Sequence, residues 1–266
     1  MKLSAALAVR DEEGMIEPSL RLLGFCDEIV VVVDSRTQDR TEEIARRYTD
    51  RVFVRDFDTF SGQKNFAVEQ CRGDWVLIVD ADERIPPDLA DEIERTLEGD
   101  PSYDAFDIET INVFMGRRMN HGGWKEDHTR LIRRAVARYA NDLHEAFDVR
   151  PDRIGRLEHG MWHFSHRSVY DNLHKTANYI EIESRAMLAA GAKPVRARTL
   201  FWVIFKEFAN RFVYRRGYRD GMVGVIESLY QPFSKFVLHV ALWERQQKPS
   251  IPERYAELDH QAAERR

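Results

Sequence analysis

Two aspartates separated by one residue, Asp80 and Asp82, follow directly after the apolar run Trp75–Val79. This run is short, continuous and rich in β-branched side chains, as expected for a strand buried in a parallel sheet. Ligands of open α/β sheets bind beyond the carboxyl ends of the strands. Carboxylates at such an edge suit Mg²⁺ or Mn²⁺, which takes one or two of them and completes its shell with water and phosphate oxygens. The pattern predicts a divalent-cation site, with helix-capping acids before Pro86 as the alternative.

Other acid-based and phosphate-binding sites fit the sequence less well. An EF-hand loop that began at Asp80 would need Gly at its sixth position and Glu at its twelfth, where this chain has Ile85 and Asp91. A phosphatase with an aspartyl nucleophile would carry its acidic pair on the first strand. The chain has no Gly-rich phosphate loop, which argues against dinucleotide-binding and P-loop proteins.

Further polar clusters follow or precede the other predicted strands. Asp34 begins the turn Asp34–Thr41 after the run Ile29–Val33, and a carboxylate there could accept from a ribose hydroxyl or a base imino group. The same turn is also explained as a polar loop in which Asp39 caps a helix. Lys64 and Asn65 lie in a helical pattern that immediately precedes the strand of the aspartate pair.

The elements that must position these residues alternate between strand and helix. Strands are predicted at Leu3–Val9, Ile29–Val33 and Trp75–Val79, and the pattern is helical from about residue 166. Helices are expected after a capping box of Asp39 and Glu42, after Ser61, from Pro86 and Pro87 to Gly99, and after Ser168. We therefore predict an α/β sandwich with a parallel sheet at residues 1–165 and a helical region at 166–266.

The charge of the 266-residue chain is divided unevenly. Residues 1–110 carry 27 acidic and 13 basic side chains, whereas the remainder carries 18 acidic and 27 basic ones, for a net charge of −5. The composition, with 43% hydrophobic residues and two cysteines, excludes disordered, collagen-like and disulfide-rich classes. Cys26 and Cys71 fit no metal or redox spacing, and no uncharged apolar stretch approaches the ~20 residues of a membrane span. A cytoplasmic protein is expected.

Much of the positive charge falls within residues 193–219, which hold eight basic side chains and one acid. Aromatic residues recur there at helical spacing, at Phe201, Phe205, Phe208 and Phe212. This pattern is typical of an amphipathic helix that lies on an anionic membrane surface. The alternative is a core-facing helix with a solvated basic side. Nucleic-acid binding is not expected, because the rings form one apolar stripe rather than a readable platform.

The order of motifs resembles family 2 glycosyltransferases of the GT-A fold. The resemblance covers roughly residues 3–190 and rests on the segments 8–13, 34–41, 62–65 and 73–83. Later segments resemble the branch that contains lipopolysaccharide core glucosyltransferases: Gly122-Gly123-Trp124, Arg130-Leu131-Ile132-Arg133, Leu143-His144-Glu145 and Trp162-His163-Phe164.

The resemblance implies a role for each matching residue. Asp80 and Asp82 match the family's Asp-x-Asp motif, Asp34 matches the contact to the nucleotide base, and His163 is the expected histidine at the metal or diphosphate. Two departures concern base and ribose recognition, because the family usually has Asn at Asp11 and often Gly at Arg36. The expected nucleotide-sugar-binding residues are Ala8, Val9, Arg10, Glu12, Asp34, Lys64, Asn65, Asp80 and Ala81, and the expected metal ligands are Asp80, Asp82 and His163.

Sugar transfer also needs a base, because the attacking hydroxyl loses its proton. Glu145 is the first candidate and Asp127 the second; either could instead be an ordinary loop carboxylate. Arg130 and Arg133 are interpreted as phosphate clamps or surface charge, and Trp124 as a sugar-stacking or packing residue.

These features together predict an inverting glycosyltransferase that uses Mg²⁺ or Mn²⁺. The expected donor is a nucleotide-sugar, with a UDP-sugar as the first candidate, and the expected acceptor is a lipid-linked or lipopolysaccharide-type glycan at the inner face of the cytoplasmic membrane. The alternatives are a catalytically inactive GT-A scaffold and a sugar-phosphate nucleotidyltransferase. The missing Gly-rich loop near the N-terminus disfavours the nucleotidyltransferase.

Overall fold

The computed structural model describes residues 2–99, 101–139, 147 and 149–264. Two compact units are present, one comprising Met1–Val113 and Lys125–Ser165 and the other Phe114–Trp124 and His166–Arg266. The boundary expected near residue 166 lies where the chain last passes from the first unit to the second. The segment Phe114–Trp124 was expected within the catalytic domain 1–165, whereas the structure groups it with the second unit.

Strands of the first unit form one mixed sheet. Their order across the sheet is β3-β2-β1-β4-β8-β6-β10-β5, with β9 beside β6, and β7 belongs to the second unit. In chain order the strands are β1 Leu3–Val9, β2 Glu28–Asp34, β3 Val52–Arg55, β4 Trp75–Ile78, β5 Glu83–Arg84, β6 Ala105–Phe114, β7 Arg117–Arg118, β8 Lys125–Arg133, β9 Ile154–Arg156 and β10 Met161–His163.

The three predicted strands, observed as β1, β2 and β4, pair in parallel, and β3, which was not predicted, pairs in parallel with β2. Strand β1 lies between β2 and β4, with Val9 opposite Val33 and Ala6 opposite Ile78. The residues that follow these strands therefore lie at one edge of the sheet, where ligands bind in open α/β folds. The predicted α/β architecture is confirmed, but the sheet is parallel only in part, because β8 pairs antiparallel with β4 and β6. The aspartate pair follows β4 at this edge.

Helices cover both faces of this sheet. They are α1 Ile16–Arg21, α2 Thr41–Ala45, α3 Phe60–Gln70 and α4 Pro87–Glu98. Leu20, Ile44 and Ile93 bring α1, α2 and α4 into one apolar cluster, whereas Ala67 and Val68 of α3 belong to a second cluster. The buried runs of β1, β2 and β4 contribute to both clusters, which explains their continuous hydrophobicity.

Most predicted helix signals are confirmed, and two need correction. Pro86 and Gly99 cap α4, and the hydroxyl of Ser168 accepts from the Asp171 N–H at the start of the helix that follows. Ser61 does not cap α3. Thr59 does so, because its backbone is extended and its hydroxyl accepts from the Gly62 N–H at 2.9 Å. The box of Asp39 and Glu42 is also absent among the described contacts, since Asp39 instead accepts from the Thr41 N–H at 2.9 Å.

The second unit is helical. Its helices are α5 Val169–Ala189, α6 Ala197–Phe208, α7 Gly221–Arg245 and α8 Ile251–Glu264, with a π-helical turn at Ala209–Tyr214 after α6. Helix α7 packs against both α5 and α6. Within the described part of the chain, no helix combines the length and the hydrophobicity that a membrane crossing requires.

Candidate active site

The loops that follow β1 and β2, which are expected to bind the nucleotide, are joined by hydrogen bonds at the edge of the sheet. The carboxylate of Asp11 accepts from the Gln38 N–H at 2.7 Å, and Asp39 accepts from the Glu13 N–H at 2.8 Å. The Glu12 N–H donates to the Thr41 hydroxyl at 2.7 Å. These contacts join the loop after β1 to the loop after β2, so the expected residues Ala8, Val9, Arg10, Glu12 and Asp34 are brought to one place.

Asp34 is buried at the end of β2, and its carboxylate binds Arg36. The Arg36 Nη2 atom lies 2.6 Å from Asp34 Oδ2, and Arg36 Nε lies 3.0 Å from Asp34 Oδ1. The hydrogen bonds from Arg36 outweigh the effect of burial and hold the pKa of Asp34 below its usual value. Asp34 is therefore ionised at neutral pH, and both of its oxygens are hydrogen-bonded to Arg36.

Asp80 lies between two cations. Lys64 Nζ of α3 is 3.4 Å from Asp80 Oδ1, and Arg130 Nη2 of β8 is 3.1 Å from Asp80 Oδ2. The same Arg130 Nη2 also hydrogen-bonds to Glu83, whose side chain is only 1% exposed. Nothing in the sequence indicated a role for Glu83. Arg130, which was interpreted as a phosphate clamp or surface charge, is a buried link between the two carboxylates.

The pKa values of Asp80 and Glu83 are shifted in opposite directions. Burial disfavours ionisation of Asp80, but Lys64 and Arg130 outweigh it and hold its pKa well below the usual range. Burial raises the pKa of Glu83, and the charge of Asp80 adds to the increase while Arg130 opposes it. Asp80 is therefore the carboxylate that stays charged and half-exposed, whereas Glu83 is the buried support beneath it.

Asp82 faces His163. The Nε2 atom of His163 lies 3.5 Å from Asp82 Oδ2, and its Nδ1 atom lies 2.9 Å from Asn112 Oδ1. Burial lowers the pKa of His163, but the neighbouring carboxylates, Asp82 first among them, raise it overall. The backbone holds the pair together, because the Phe164 N–H donates to the Asp82 carbonyl at 2.8 Å.

The donor set fits a divalent cation that is shared with a substrate. Asn112 binds Nδ1 of His163 and thereby leaves Nε2 directed at Asp82, as second-sphere partners do for metal-binding histidines. Among the described residues, no three His, Cys, Asp or Glu side chains are arranged as a complete metal site. One or two carboxylates are nevertheless enough for Mg²⁺ when phosphate and water oxygens complete the shell. Asp82 and His163 are the residues that would hold it.

Neighbouring residues of β8 point to opposite faces. Partial burial and the charges of Arg130 and His163 lower the pKa of His128, a residue that the sequence did not indicate as part of the site. Side chains alternate along a strand, so Asp127 points away from His128. Its carboxylate lies 3.0 Å from Arg156. The structure does not bring Asp127 together with Asp80, Asp82 and His163.

The remaining expected residues have structural partners or lie outside the described residues. Asn65 exchanges two hydrogen bonds with the backbone of Tyr139, at 2.8 and 3.2 Å, so it holds the segment that follows β8. Ala81 is buried directly between the two aspartates. Glu145, the first candidate for the base, lies outside the described residues.

Two further residues singled out in the sequence, Trp124 and Arg133, pack against neighbouring side chains. Trp124 lies within the second unit, where the Arg211 guanidinium is 4.4 Å from its ring centre and Phe114 contacts it edge-on. Arg133 lies over the Trp75 ring at 4.7 Å and donates to the Pro101 carbonyl at 2.7 Å. Both therefore have packing roles in this structure, and neither joins the cluster around Asp80.

Sequence comparison identifies relatives over most of the chain. The profile of the glycosyl transferase family 2 matches residues 8–148. An uncharacterized glycosyltransferase of Rickettsia bellii is 28% identical, with 89% of this chain and 84% of the relative covered. The lipopolysaccharide core biosynthesis glycosyltransferase LpsC of Rhizobium meliloti is 25% identical, with 98% of both chains covered. The crystal structure of S. aureus TarS in complex with UDP-GlcNAc aligns with a TM-score of 0.49 and 20% identity, covering 92% of this chain and 82% of that one.

Replacement of Arg130 tests its role as the charge beneath the cluster. Arg130→Met leaves Glu83 and Asp80 without their shared cation, and we expect a loss of about 3–5 kcal/mol in the free energy of unfolding, as for other broken buried pairs. Urea denaturation at neutral pH measures this loss, and Glu83→Gln in the same background should recover part of it.

Arg156→Met is the matched control. Arg156 also contacts two carboxylates, Asp127 and Glu109, but its side chain is 60% exposed. Its loss should cost no more than about 1 kcal/mol. Equal effects of the two substitutions would show that Arg130 does not carry the buried charge balance.

Proposed function

The chain belongs to glycosyltransferase family 2 and has the GT-A fold, and from this premise we propose that it is an inverting, metal-dependent transferase. It moves a sugar from a nucleotide-sugar, preferably a UDP-sugar, to a lipid-linked or lipopolysaccharide-type acceptor. The observation that carries the proposal is the cluster of Asp80, Asp82, His163, Lys64 and Arg130 at the carboxyl edge of the parallel strands. Family membership disfavours the nucleotidyltransferase alternative.

The cluster suits a diphosphate. Lys64 supplies a positive charge beside Asp80, and its side chain is only 14% exposed, while Arg130 holds the two carboxylates in place. Such partly buried cations interact with phosphate oxygens more strongly than surface cations do, because the local dielectric constant is lower. Fixed charges also need no reorganisation when negative charge develops on the leaving phosphate.

A divalent cation held by Asp82 and His163 would supply Lewis-acid stabilisation of the departing diphosphate. Asn112 fixes the ring of His163, and the Phe164 N–H fixes the backbone of Asp82. The residues of this chain thus orient the two ligand side chains before any substrate arrives. Such orientation matters because a displacement of about 1 Å in a reacting group can cost 100-fold in rate.

The acceptor hydroxyl must attack the anomeric carbon from the face opposite the diphosphate if the reaction inverts configuration. A carboxylate on that side takes the proton as the bond forms. We assign this role to Glu145 on its sequence motif. Asp127 is a weaker candidate, because its carboxylate binds Arg156 and lies on the face of β8 opposite His128.

The acceptor is proposed from the relative that matches 98% of this chain, whose name places it in lipopolysaccharide core biosynthesis. An acceptor of this kind is embedded in a membrane. An enzyme that acts on it gains from a surface that adsorbs to anionic lipid.

Helix α6 offers such a surface. The rings of Phe201, Trp202 and Phe205 are 66%, 59% and 55% exposed, and they contact one another rather than the interior. Beside them, an apolar groove of ≈ 360 Å³ is lined by Ile204, Phe208, Leu229, Pro232, Phe233 and Phe236. The exposure of these rings supports peripheral membrane binding, whereas Phe208 and Phe212 of the predicted stripe are half-buried and stack on each other.

Asp82→Asn tests the metal assignment. Loss of one ligand charge should lower metal-stimulated release of nucleoside diphosphate from a UDP-sugar by on the order of 100- to 1000-fold, comparable to removal of one electrostatic stabiliser from other enzymes. Titration with Mg²⁺ and Mn²⁺ measures the effect. Asp152→Asn, which alters a 65% exposed carboxylate paired with Arg150, should leave the rate unchanged. Wild-type turnover in Asp82→Asn, or full activity in EDTA, would contradict the assignment.

Glu145→Gln tests the base. The amide cannot accept the proton, so turnover should fall by about 100- to 10,000-fold while the affinity for the donor stays within about twofold. Asp127→Asn is the paired variant, and it should retain near-wild-type turnover. The reverse outcome would transfer the role to Asp127. Loss of donor binding in Glu145→Gln would instead indicate a residue of the donor site.

Vesicle flotation tests the membrane surface. The wild-type protein should float with vesicles that contain phosphatidylglycerol, in a salt-sensitive manner. The triple variant Phe201→Ala, Trp202→Ala, Phe205→Ala should lose this binding, because each large apolar side chain contributes about 1.5–3 kcal/mol when fully buried. Phe60→Ala removes a 50% exposed ring of α3 and serves as the control. Equal flotation of the triple variant and the control would refute the assignment of α6.

A further inference from the structure

The carboxylate expected to read the nucleotide base is occupied by a side chain of the protein itself. Asp34 Oδ1 accepts from the backbone N–H of Arg36 at 2.9 Å and from Arg36 Nε at 3.0 Å. Asp34 Oδ2 accepts from Arg36 Nη2 at 2.6 Å. The Asp34 side chain is only 5% exposed, so both of its oxygens are turned toward Arg36 rather than toward solvent.

Arg36 is held in this position from a second direction. Its guanidinium carbon lies 4.3 Å from the centre of the Phe57 ring. A planar guanidinium that is fixed by a bidentate carboxylate and by an aromatic face loses little further freedom when it binds a ligand. The Arg36 side chain is nevertheless 49% exposed, so part of this plane is available to a ligand.

Because Arg36 covers Asp34, a base at this position would meet hydrogen-bond donors instead of a hydrogen-bond acceptor. A bare carboxylate only accepts hydrogen bonds, and it would select a base with a ring N–H donor such as N3–H of uracil. A guanidinium only donates hydrogen bonds, and its plane stacks on aromatic rings of any base. The carbonyl oxygens of a pyrimidine can accept from it, whereas the ring N–H finds no acceptor there.

We propose that Arg36, rather than Asp34, faces the base of the donor nucleotide, so this chain binds a pyrimidine nucleoside diphosphate without sensing the N3–H group. The inference rests on the proposed function, because it requires a nucleotide at the edge formed by β1 and β2. Arg36 is thereby a specificity-determining residue, and Asp34 and Phe57 are the residues that position it.

The N3 position of uracil provides the test. Isothermal titration with UDP and with N3-methyl-UDP, both with Mg²⁺, measures how strongly the protein depends on that hydrogen. Wild-type protein should bind the two within about threefold. Arg36→Gly uncovers the Asp34 carboxylate, so this variant should prefer UDP by about 10- to 100-fold, the ratio expected for a hydrogen bond to a charged acceptor.

Two further variants act as controls. Arg36→Lys keeps the charge but not the planar fork, and its preference should lie between those of wild type and Arg36→Gly. Arg21→Ala removes an exposed guanidinium that pairs with Glu17 on α1, and it should leave the ratio at the wild-type value. Thermal unfolding of each variant establishes that it is folded before titration.

Three other results would contradict the proposed role of Arg36. A penalty of tenfold or more for N3-methyl-UDP in the wild-type protein would show that Arg36 moves aside and would overturn the inference. The absence of any penalty in folded Arg36→Gly would overturn it as well. If folded wild type and variants bind no nucleoside diphosphate at all, the proposed donor site fails and the inference fails with it.

Discussion

The candidate site is organised around one buried guanidinium. Arg130 of β8 neutralises Asp80 and Glu83 together, and the second oxygen of Glu83 accepts from the Asp80 N–H at 2.8 Å. The turn that connects β4 to β5 is therefore fixed by charge and by a local hydrogen bond at once. This turn carries Asp82, whose carbonyl accepts from the Phe164 N–H and thereby brings His163 to its carboxylate. Without Arg130, the buried Glu83 would lose the cation that pairs with it, and Asp80 would keep only Lys64.

The parallel pairing of β2, β1 and β4 supplies the second constraint. Because the three strands run in one direction, Asp34, Arg10 and Asp80 follow strand ends at the same edge, although they are far apart in sequence. The contacts of Asp11 with Gln38 and of Asp39 with Glu13 then fix the two loops to each other. Long side chains are thus anchored on rigid elements, which is what charge stabilisation in a transferase requires.

The local sequence was sufficient for elements whose signals lie close together. The buried runs of β1, β2 and β4, the proline start of α4 and the Ser168 cap are examples, and so is the placement of Asp80 at a strand end. Long-range contacts were not accessible in this way. Arg130 and Arg133 look alike in sequence, yet a register shift opposite Phe106 and Asp107 accompanies a buried role for Arg130, while Arg133 stacks on Trp75. Likewise, nothing in the sequence indicates that Asn112 orients His163. The pairing of Arg36 with Asp34 is local, but the sequence marked Arg36 only as a departure from the family pattern.

Part of the positive charge in the C-terminal half of the chain has a structural role in the second unit. Arg211 pairs with Glu207 and covers Trp124, so part of the positive charge stabilises that unit. The three exposed rings of α6 are different, because they bury little surface against their own fold and would be replaced by polar residues at small cost to stability. Phe201, Trp202 and Phe205 therefore contribute little to the buried core. The proposed contact with an anionic lipid surface would match both their hydrophobicity and the charge around them.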